Sequence, residues 1–451
     1  MKQYYTENSQ LYIILLIWLV IGMYGGPLIY VVLPLSLLAL RRQELYEEML
    51  IGFLFILILS DSYEARLHFA KSVKNVYIVV LTLFVLIDSG DFQPLNTIYK
   101  TFFPFFLIAL YCLLFTETFG VSVQKTLSYF LMYLIIPNYL VKLYREQGSE
   151  ILKNIVLFMV TIMIIGIVSI FAAHNLAYTG GRYRGLLGNP NGLGLFCFLS
   201  FLFFFVVNHL HKNLFSSFQV VMIYGFTILS LILTGSRNSI IAVFMFLFFQ
   251  KFYKINPFLG FLMVLVVGYL VEVIGNNLSS IITSLGLADF FRVKTLDDGS
   301  GRYVAWSFAW KQVQQNLFIG KGFGFDEYYM RSNWDTLSKM GHQGGVHNTF
   351  LTFWMDTGLI GLIIFLRSFF VTFLRAAKQN ILAYPVMFVV IFTAFFESWL
   401  VGSLNPHTII FLMILTVITD DTFYSPETQL AEAETQEAET LLLDENGAKA
   451  Y

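Results

Sequence analysis

Charge is what this chain has least of. Only 13% of its 451 residues are Asp, Glu, Lys or Arg, about half of what a soluble globular domain carries. So thin a polar coat excludes an ordinary water-soluble domain. The formal net charge of −1 leaves no basic stripe for a polyanion, and no nucleic-acid partner is expected. Cysteine is scarce too. Cys112 and Cys197 both lie in apolar runs, and neither belongs to a CxxC or another metal-ligand spacing, so they read as core residues and no metal or other cofactor is expected. A cleavable leader is also missing: Leu11–Tyr24 runs into a second apolar stretch without a small-residue cleavage site, so it is expected to stay in the membrane.

Apolar residues are what the chain has in plenty. They make up 57% of it, aromatics 18%, and the mean hydropathy is +0.70. Runs lie near 11–24, 27–40, 49–60, 75–88, 102–116, 127–140, 152–173, 192–208, 218–234, 239–250, 258–275, 348–366, 381–401 and 407–419. Many approach the roughly 20 residues that cross a bilayer. Without water in the hydrocarbon, backbone groups must be satisfied inside helices or a closed barrel. Unbroken runs, rather than two-residue alternation, choose helices. The expectation is an all-α polytopic membrane protein with about 12–14 transmembrane helices and one large external loop containing short helices.

Lysine and arginine in the short loops set the orientation. With the N-terminus inside, Arg41-Arg42, Lys142 with Arg145, Lys212, Lys251 with Lys254, and Arg375 with Lys378 become cytoplasmic. The same choice sends Gly180–Pro190, Gly235–Ser239 and the long 276–346 segment outside. Arg66, Lys71 and Lys74 break the pattern. Either the run at 49–60 is not a full span, or the charge rule fails locally.

Three regions follow: N-terminal spans over 1–150, a transmembrane core over 151–420 that includes the external loop 276–346, and an acidic cytoplasmic tail over 421–451. In that loop, Asp297-Asp298-Gly299-Ser300-Gly301 reads as a turn capping a helix from about Arg302 to Gln315. Trp306, Trp310 and Val313 would form an apolar stripe suited to lying on the membrane surface or packing across the span bundle. Gly320, Gly322 and Gly324 would end it in a flexible turn. The tail from Ser425, rich in Glu and poor in apolar residues, reads as disordered or loosely helical.

Four polar knots share the outer face in this topology: Arg182-Tyr183-Arg184 through Asn189-Pro190-Asn191, Ser236-Arg237-Asn238-Ser239, Gly301-Arg302-Tyr303, and His347-Asn348. Any one arginine at a span end can simply snorkel. Several together suit phosphate, which the guanidinium fork grips while staying charged. Arg302 also opens a helix, whose positive end favours an anion. Asn189 and Asn191 either orient substrate hydroxyls or cap the following helix, and for Asn191 capping is the preferred reading.

The ordered set resembles the O-antigen ligase and O-antigen polymerase superfamily of bacterial envelope enzymes. His347-Asn348, nine residues, then Gly358-Leu359-Ile360-Gly361 fits that family's H-[NSQ]-x9-G-x-x-G pattern. Arg184 before Asn189-Pro190-Asn191, Arg237 in Ser-Arg-Asn-Ser, Arg302 in Gly-Arg-x-x-x-Trp, and the long loop before the final three spans fit as well. The resemblance covers about residues 150–420, while the N-terminal third adds only more spans.

It implies metal-independent transfer of a glycan from an undecaprenyl-pyrophosphate carrier to a saccharide or lipid-linked saccharide acceptor. The reaction would take place on the outer side of the bacterial cytoplasmic membrane. Arg302, Arg237 and Arg184 are candidates to hold the growing negative charge, and His347 is the candidate base. Arg182, Asn189, Asn191 and Asn348 are candidate substrate contacts. His342, in the Gly-rich loop, competes with His347 for the role of base. Glu397 either orients His347 or an arginine, or pairs with an unrelated structural residue; Asp356 is expected to make a buried structural hydrogen bond. Ligase and polymerase share donor and leaving group, so the motifs do not separate them. A transporter of lipid-linked saccharides is the alternative class.

Overall fold

The structure is a computed structural model. It describes residues 2–252 and 301–424, apart from 89, 91, 93–95 and 343, together with single helical positions at 259, 262 and 266. The expected run at 258–275, most of the turn before Arg302, and the tail from Ser425 lie outside the described residues.

The described chain is almost wholly helical. Its order is α1 (Lys2–Glu7), α2 (Ser9–Tyr24), α3 (Ile29–Arg42), α4 (Tyr46–Asp61), α5 (Phe69–Ile87), α6 (Thr97–Cys112), α7 (Phe119–Gln147), α8 (Glu150–Ala172) and α9 (His174–Ala177). A small hairpin of β1 (Tyr178–Thr179) and β2 (Arg182–Tyr183) precedes α10 (Pro190–Leu210), α11 (Ser217–Thr234) and α12 (Arg237–Phe252). The polar segment then supplies α13 (Arg302–Gln315), α14 (Phe325–Ser332) and α15 (Trp334–Lys339), before α16 (Thr349–Ala376), α17 (Ala383–Phe396) and α18 (Pro406–Thr419). Among the described residues, seven helices are long and apolar enough to cross a membrane: Ala65–Ile87, Thr97–Phe115, Phe119–Gln147, Glu150–Ala172, Pro190–Leu210, Ser217–Thr234 and Thr349–Ala376. Ser9–Tyr24, Ala383–Phe396 and Pro406–Thr419 are shorter apolar helices. The molecule is an all-α polytopic membrane protein, with further helices outside the spanning core.

Burial sorts these helices into layers. α4 is buried from Met49 to Ser60, and α18 from Pro406 to Ile418. Both are hydrophobic all round, the pattern of a helix enclosed by others. The weak run at 49–60 is therefore an inner helix with protein on every side. Outer helices leave apolar side chains uncovered, among them Leu16, Leu83, Leu107, Val168 and Val221. Such surfaces suit hydrocarbon rather than water.

Helix α16 is interrupted. Gly358 adopts φ 71°, ψ 179°, a conformation essentially reserved for glycine. A break like this leaves backbone donors and acceptors without helical partners. Residues 317–322 supply them: Leu359 N donates to Leu317 O (2.9 Å) and Ile360 N to Phe318 O (3.3 Å), while Lys321 N and Gly322 N donate to Met355 O (3.2 Å) and Asp356 O (2.8 Å). The Trp354 indole adds a bond to Leu317 O at 2.9 Å. A Cβ on Gly358 would collide with the Phe318 carbonyl. The Asp356 carboxylate, fully buried, accepts from Gly324 N at 2.9 Å and Asp326 N at 3.0 Å.

This docking corrects the expected flexible turn at Gly320–Gly324, which is instead bonded into the broken helix. The α13 boundaries agree with expectation, and of the expected stripe Val313 packs inward while the two tryptophans do not. Ala305, Ala309 and Val313 are buried, whereas Trp306 is half-buried and Trp310 is 42% exposed, edge-on to Trp354. Small residues let α13 approach α16 closely, and the bulky indoles are displaced to the rim.

Candidate active site

The site assembles around one carboxylate. Glu397 follows the last turn of α17, where the backbone turns extended (φ −144°, ψ 145°). Its Oε2 accepts from His347 Nδ1 at 3.0 Å, and its Oε1 accepts from Arg302 Nη2 at 2.9 Å and Asn191 Nδ2 at 3.2 Å. Asn191 Oδ1 in turn accepts from Arg182 Nη2 at 3.1 Å, and Arg182 also donates to Thr234 O. Residues 182, 191, 302, 347 and 397 thus form one continuous chain of polar contacts.

Each group is held by its local fold. Asn348 caps α16 by accepting from Leu351 N (3.0 Å), and its own N–H donates to Ser398 Oγ (3.0 Å). Thr349 Oγ1 donates to Glu397 O at 2.8 Å, so the turn carrying the histidine is stitched to the turn carrying its carboxylate. His347 itself has φ 52°, unusual for any residue but glycine. Strain of this kind costs about 1–3 kcal/mol and persists where surrounding contacts enforce it. Arg302 is the first residue of α13, and its guanidinium lies 5.7 Å over the Phe396 ring.

Electrostatics favour an ionised Glu397. Burial pushes its carboxyl upward, but the His347 and Arg302 contacts outweigh burial and hold it below the usual carboxylate range. A carboxylate can only accept. The shared proton therefore sits on His347 Nδ1, which leaves Nε2 as the ring nitrogen not bonded to Glu397.

His342 has a different place. Only 2% exposed, it bonds Gly345 O through Nε2 at 3.0 Å and lies edge-on to His347 at 5.8 Å. Burial leads the shift of its imidazole below the ordinary value. Its Nε2 serves the backbone of its own loop.

The remaining candidates gather at the same end of the bundle. Arg237 starts α12, three residues beyond the Thr234 carbonyl that holds Arg182, and is half-buried. Arg184 is 8% exposed and braces its loop by donating to Leu176 O (3.1 Å) and Gly188 O (3.3 Å). Asn189, not Asn191, caps α10, accepting from Gly192 N at 2.8 Å. This corrects the capping reading of Asn191: Asn189 takes the extended N-cap conformation, which leaves Asn191 in the first turn to reach Glu397.

Reasoning from sequence missed three contributors. Asp61, the last residue of α4, accepts from Gly188 N at 3.0 Å. Lys74 Nζ donates to Leu404 O at 2.9 Å, and His407 Nε2 contacts Gly192 O at 2.9 Å. The N-terminal third is therefore more than extra spans, because it supports the loop that presents Asn191. Two signals were available: Asp61 is a lone acid closing an apolar run, and Asn405-Pro406-His407 repeats the Asn-Pro helix start of Asn189-Pro190-Asn191.

Fold and site together define a polytopic α-helical membrane protein with a charged cluster at one end of the bundle. Residues 220–366, about a third of the chain, match the O-antigen ligase family model, Wzy_C. Arg237, Arg302 and His347 lie inside that stretch, while Arg182, Asn191 and Glu397 are brought to it only by the fold. A search of curated proteins returned no match.

Proposed function

We propose that this protein is a membrane glycosyltransferase. It moves a glycan from an undecaprenyl-pyrophosphate carrier to an acceptor hydroxyl at the outer face of the bacterial cytoplasmic membrane. The observation that carries this reading is the meeting of His347 Nδ1 and Arg302 Nη2 on the two oxygens of Glu397.

In the proposed reaction the acceptor oxygen attacks the anomeric carbon of the donor. The bond from that carbon to the pyrophosphate oxygen breaks, and the carrier pyrophosphate leaves with the electron pair. The hydroxyl proton passes to His347 Nε2. Negative charge grows on the leaving oxygen, so the site needs cations beside it. Arg302 and Arg182 supply them within the polar chain, and Arg237 is the nearby third. Helices α10, α13, α16 and α18 all begin around the Glu397 turn or the loop against it. Their positive ends add to the same field.

The test uses purified protein in liposomes with a lipid-linked saccharide donor. His347→Ala is expected to lower transfer about 100- to 10,000-fold, and Arg302→Ala about 100- to 1000-fold, with membrane insertion unchanged. Near-normal transfer by both variants would defeat the proposal. Ligase and polymerase separate on the acceptor: in a strain lacking the gene, single repeats on the final anchor indicate a lost polymerase, and long carrier-bound chains beside a bare anchor indicate a lost ligase.

A further inference from the structure

With Nδ1 of His347 committed to Glu397, the chemistry falls to Nε2, and the surroundings of that atom decide who can reach it. One face of the ring is closed by His342, edge-on at 5.8 Å. His342 is itself locked by its bond to Gly345 O and by Gly301, where an added Cβ would lie 3.4 Å from His342 Nδ1. Directly against Nε2 stands Gly344. A Cβ at this position would lie 2.8 Å from His347 Nε2, 3.6 Å from Cε1 and 3.8 Å from Cδ2. A methyl group there would take the space that a hydroxyl oxygen must occupy to hand over its proton. Gly344 also has φ 138°, outside the range L-residues favour.

We infer that Gly344 is the residue whose missing side chain keeps the acceptor's path to His347 Nε2 open. The inference rests on the proposed transferase reading. It goes further by assigning the acceptor's approach to the Gly344 side of His347, opposite the Glu397 side of the ring. Any hydroxyl that hands its proton to Nε2, of a saccharide or of water, needs that edge clear, whereas binding of the donor does not.

The experiment compares Gly344→Ala with Gly341→Ala in liposomes holding the lipid-linked donor. Gly341 shares the strained backbone (φ 80°), but a Cβ there meets nothing within 4 Å. Gly344→Ala is expected to lower kcat/KM for the saccharide acceptor at least 10-fold, and hydrolysis of the donor by water with it, while binding of the lipid-linked donor is retained. Gly341→Ala is expected to stay within about 3-fold of the parent. Equal transfer by the two variants, or a loss of donor binding in Gly344→Ala that accounts for the lost transfer, would overturn the inference. A second measurement needs no variant: carbethoxylation of His347 in the parent protein, mapped by mass spectrometry, should be slowed by the acceptor saccharide and not by the donor. The opposite pattern would also overturn it. If His347→Ala transfers normally, the transferase reading itself falls; if His347→Ala is dead but Gly344→Ala is normal, only the role of Gly344 is lost.

Discussion

A carboxylate placed between an imidazole and a guanidinium does two things at once. Glu397 fixes which nitrogen of His347 carries the proton, and it holds Arg302 at a set distance from the same ring. Glu397→Gln keeps the shape but not the charge, so it should lower transfer about 100-fold or more, as loss of an orienting carboxylate does in hydrolytic triads. Purified variant and parent assayed side by side would show this, and unchanged activity with unchanged expression would remove the orienting role. His342 gives a pH prediction. Its imidazole is held below the ordinary value in the folded protein, chiefly by burial, so the unfolded chain binds more protons as pH falls below about 6.5. Its contribution to stability is complete above that pH and declines beneath it. Thermal unfolding in detergent should show this loss for the parent and a weaker one for His342→Gln. At this scale the sequence displayed His347, Arg302 and Glu397 as charged residues in apolar surroundings. It could not show that all three meet, because Arg302 and His347 are 45 positions apart and His347 and Glu397 are 50 apart.

The break in α16 accounts for two glycines of the sequence pattern. Gly358 supplies the backbone conformation for the interruption, and a Cβ on Gly361 would collide with the Thr357 side chain. The docked 317–322 segment joins α13, which carries Arg302, to the helix headed by His347. Position and strain are thus set together. Gly358→Ala should destabilise the protein by about 1–3 kcal/mol from backbone strain alone, with more from the collision at Phe318. A lower melting temperature and faster proteolysis near residues 317–324 would report it. Gly225→Ala, on α11 with nothing within 4 Å of the added carbon, should leave the melting temperature unchanged or raise it slightly. The α13 helix was readable from its polar start and its length. Its buried face was not, because Ala305 and Ala309 carry little hydrophobic signal beside Trp306 and Trp310 and win the interface by being small.

Across the whole molecule, the first 150 residues prop up the site from beneath. Asp61 holds Gly188 N, in the loop that leads to Asn191. Asp61→Ala would leave that N–H unpaired, costing about 1–3 kcal/mol if it stays dry. It should raise the donor KM more than it lowers kcat, which a kinetic comparison with the parent would reveal. Orientation can be checked on Tyr303, 60% exposed and next to Arg302. In a background with Cys112 and Cys197 replaced, both being buried, Tyr303→Cys should react with a membrane-impermeant maleimide in intact cells. Labelling only after lysis would place the site on the cytoplasmic side.

Composition and apolar run length determined the helical membrane class, since hydrocarbon admits no unpaired backbone over such lengths. The spacing of His347-Asn348 and Gly358-Leu359-Ile360-Gly361 was likewise visible in the chain. Tertiary structure alone decided that Glu397 joins His347, Arg302 and Asn191, that residues 317–322 mend the broken α16, and that α4 lies inside the bundle. These depend on pairings between distant segments, where distance, direction and available volume select the partner, and a linear order of residues carries none of those three quantities.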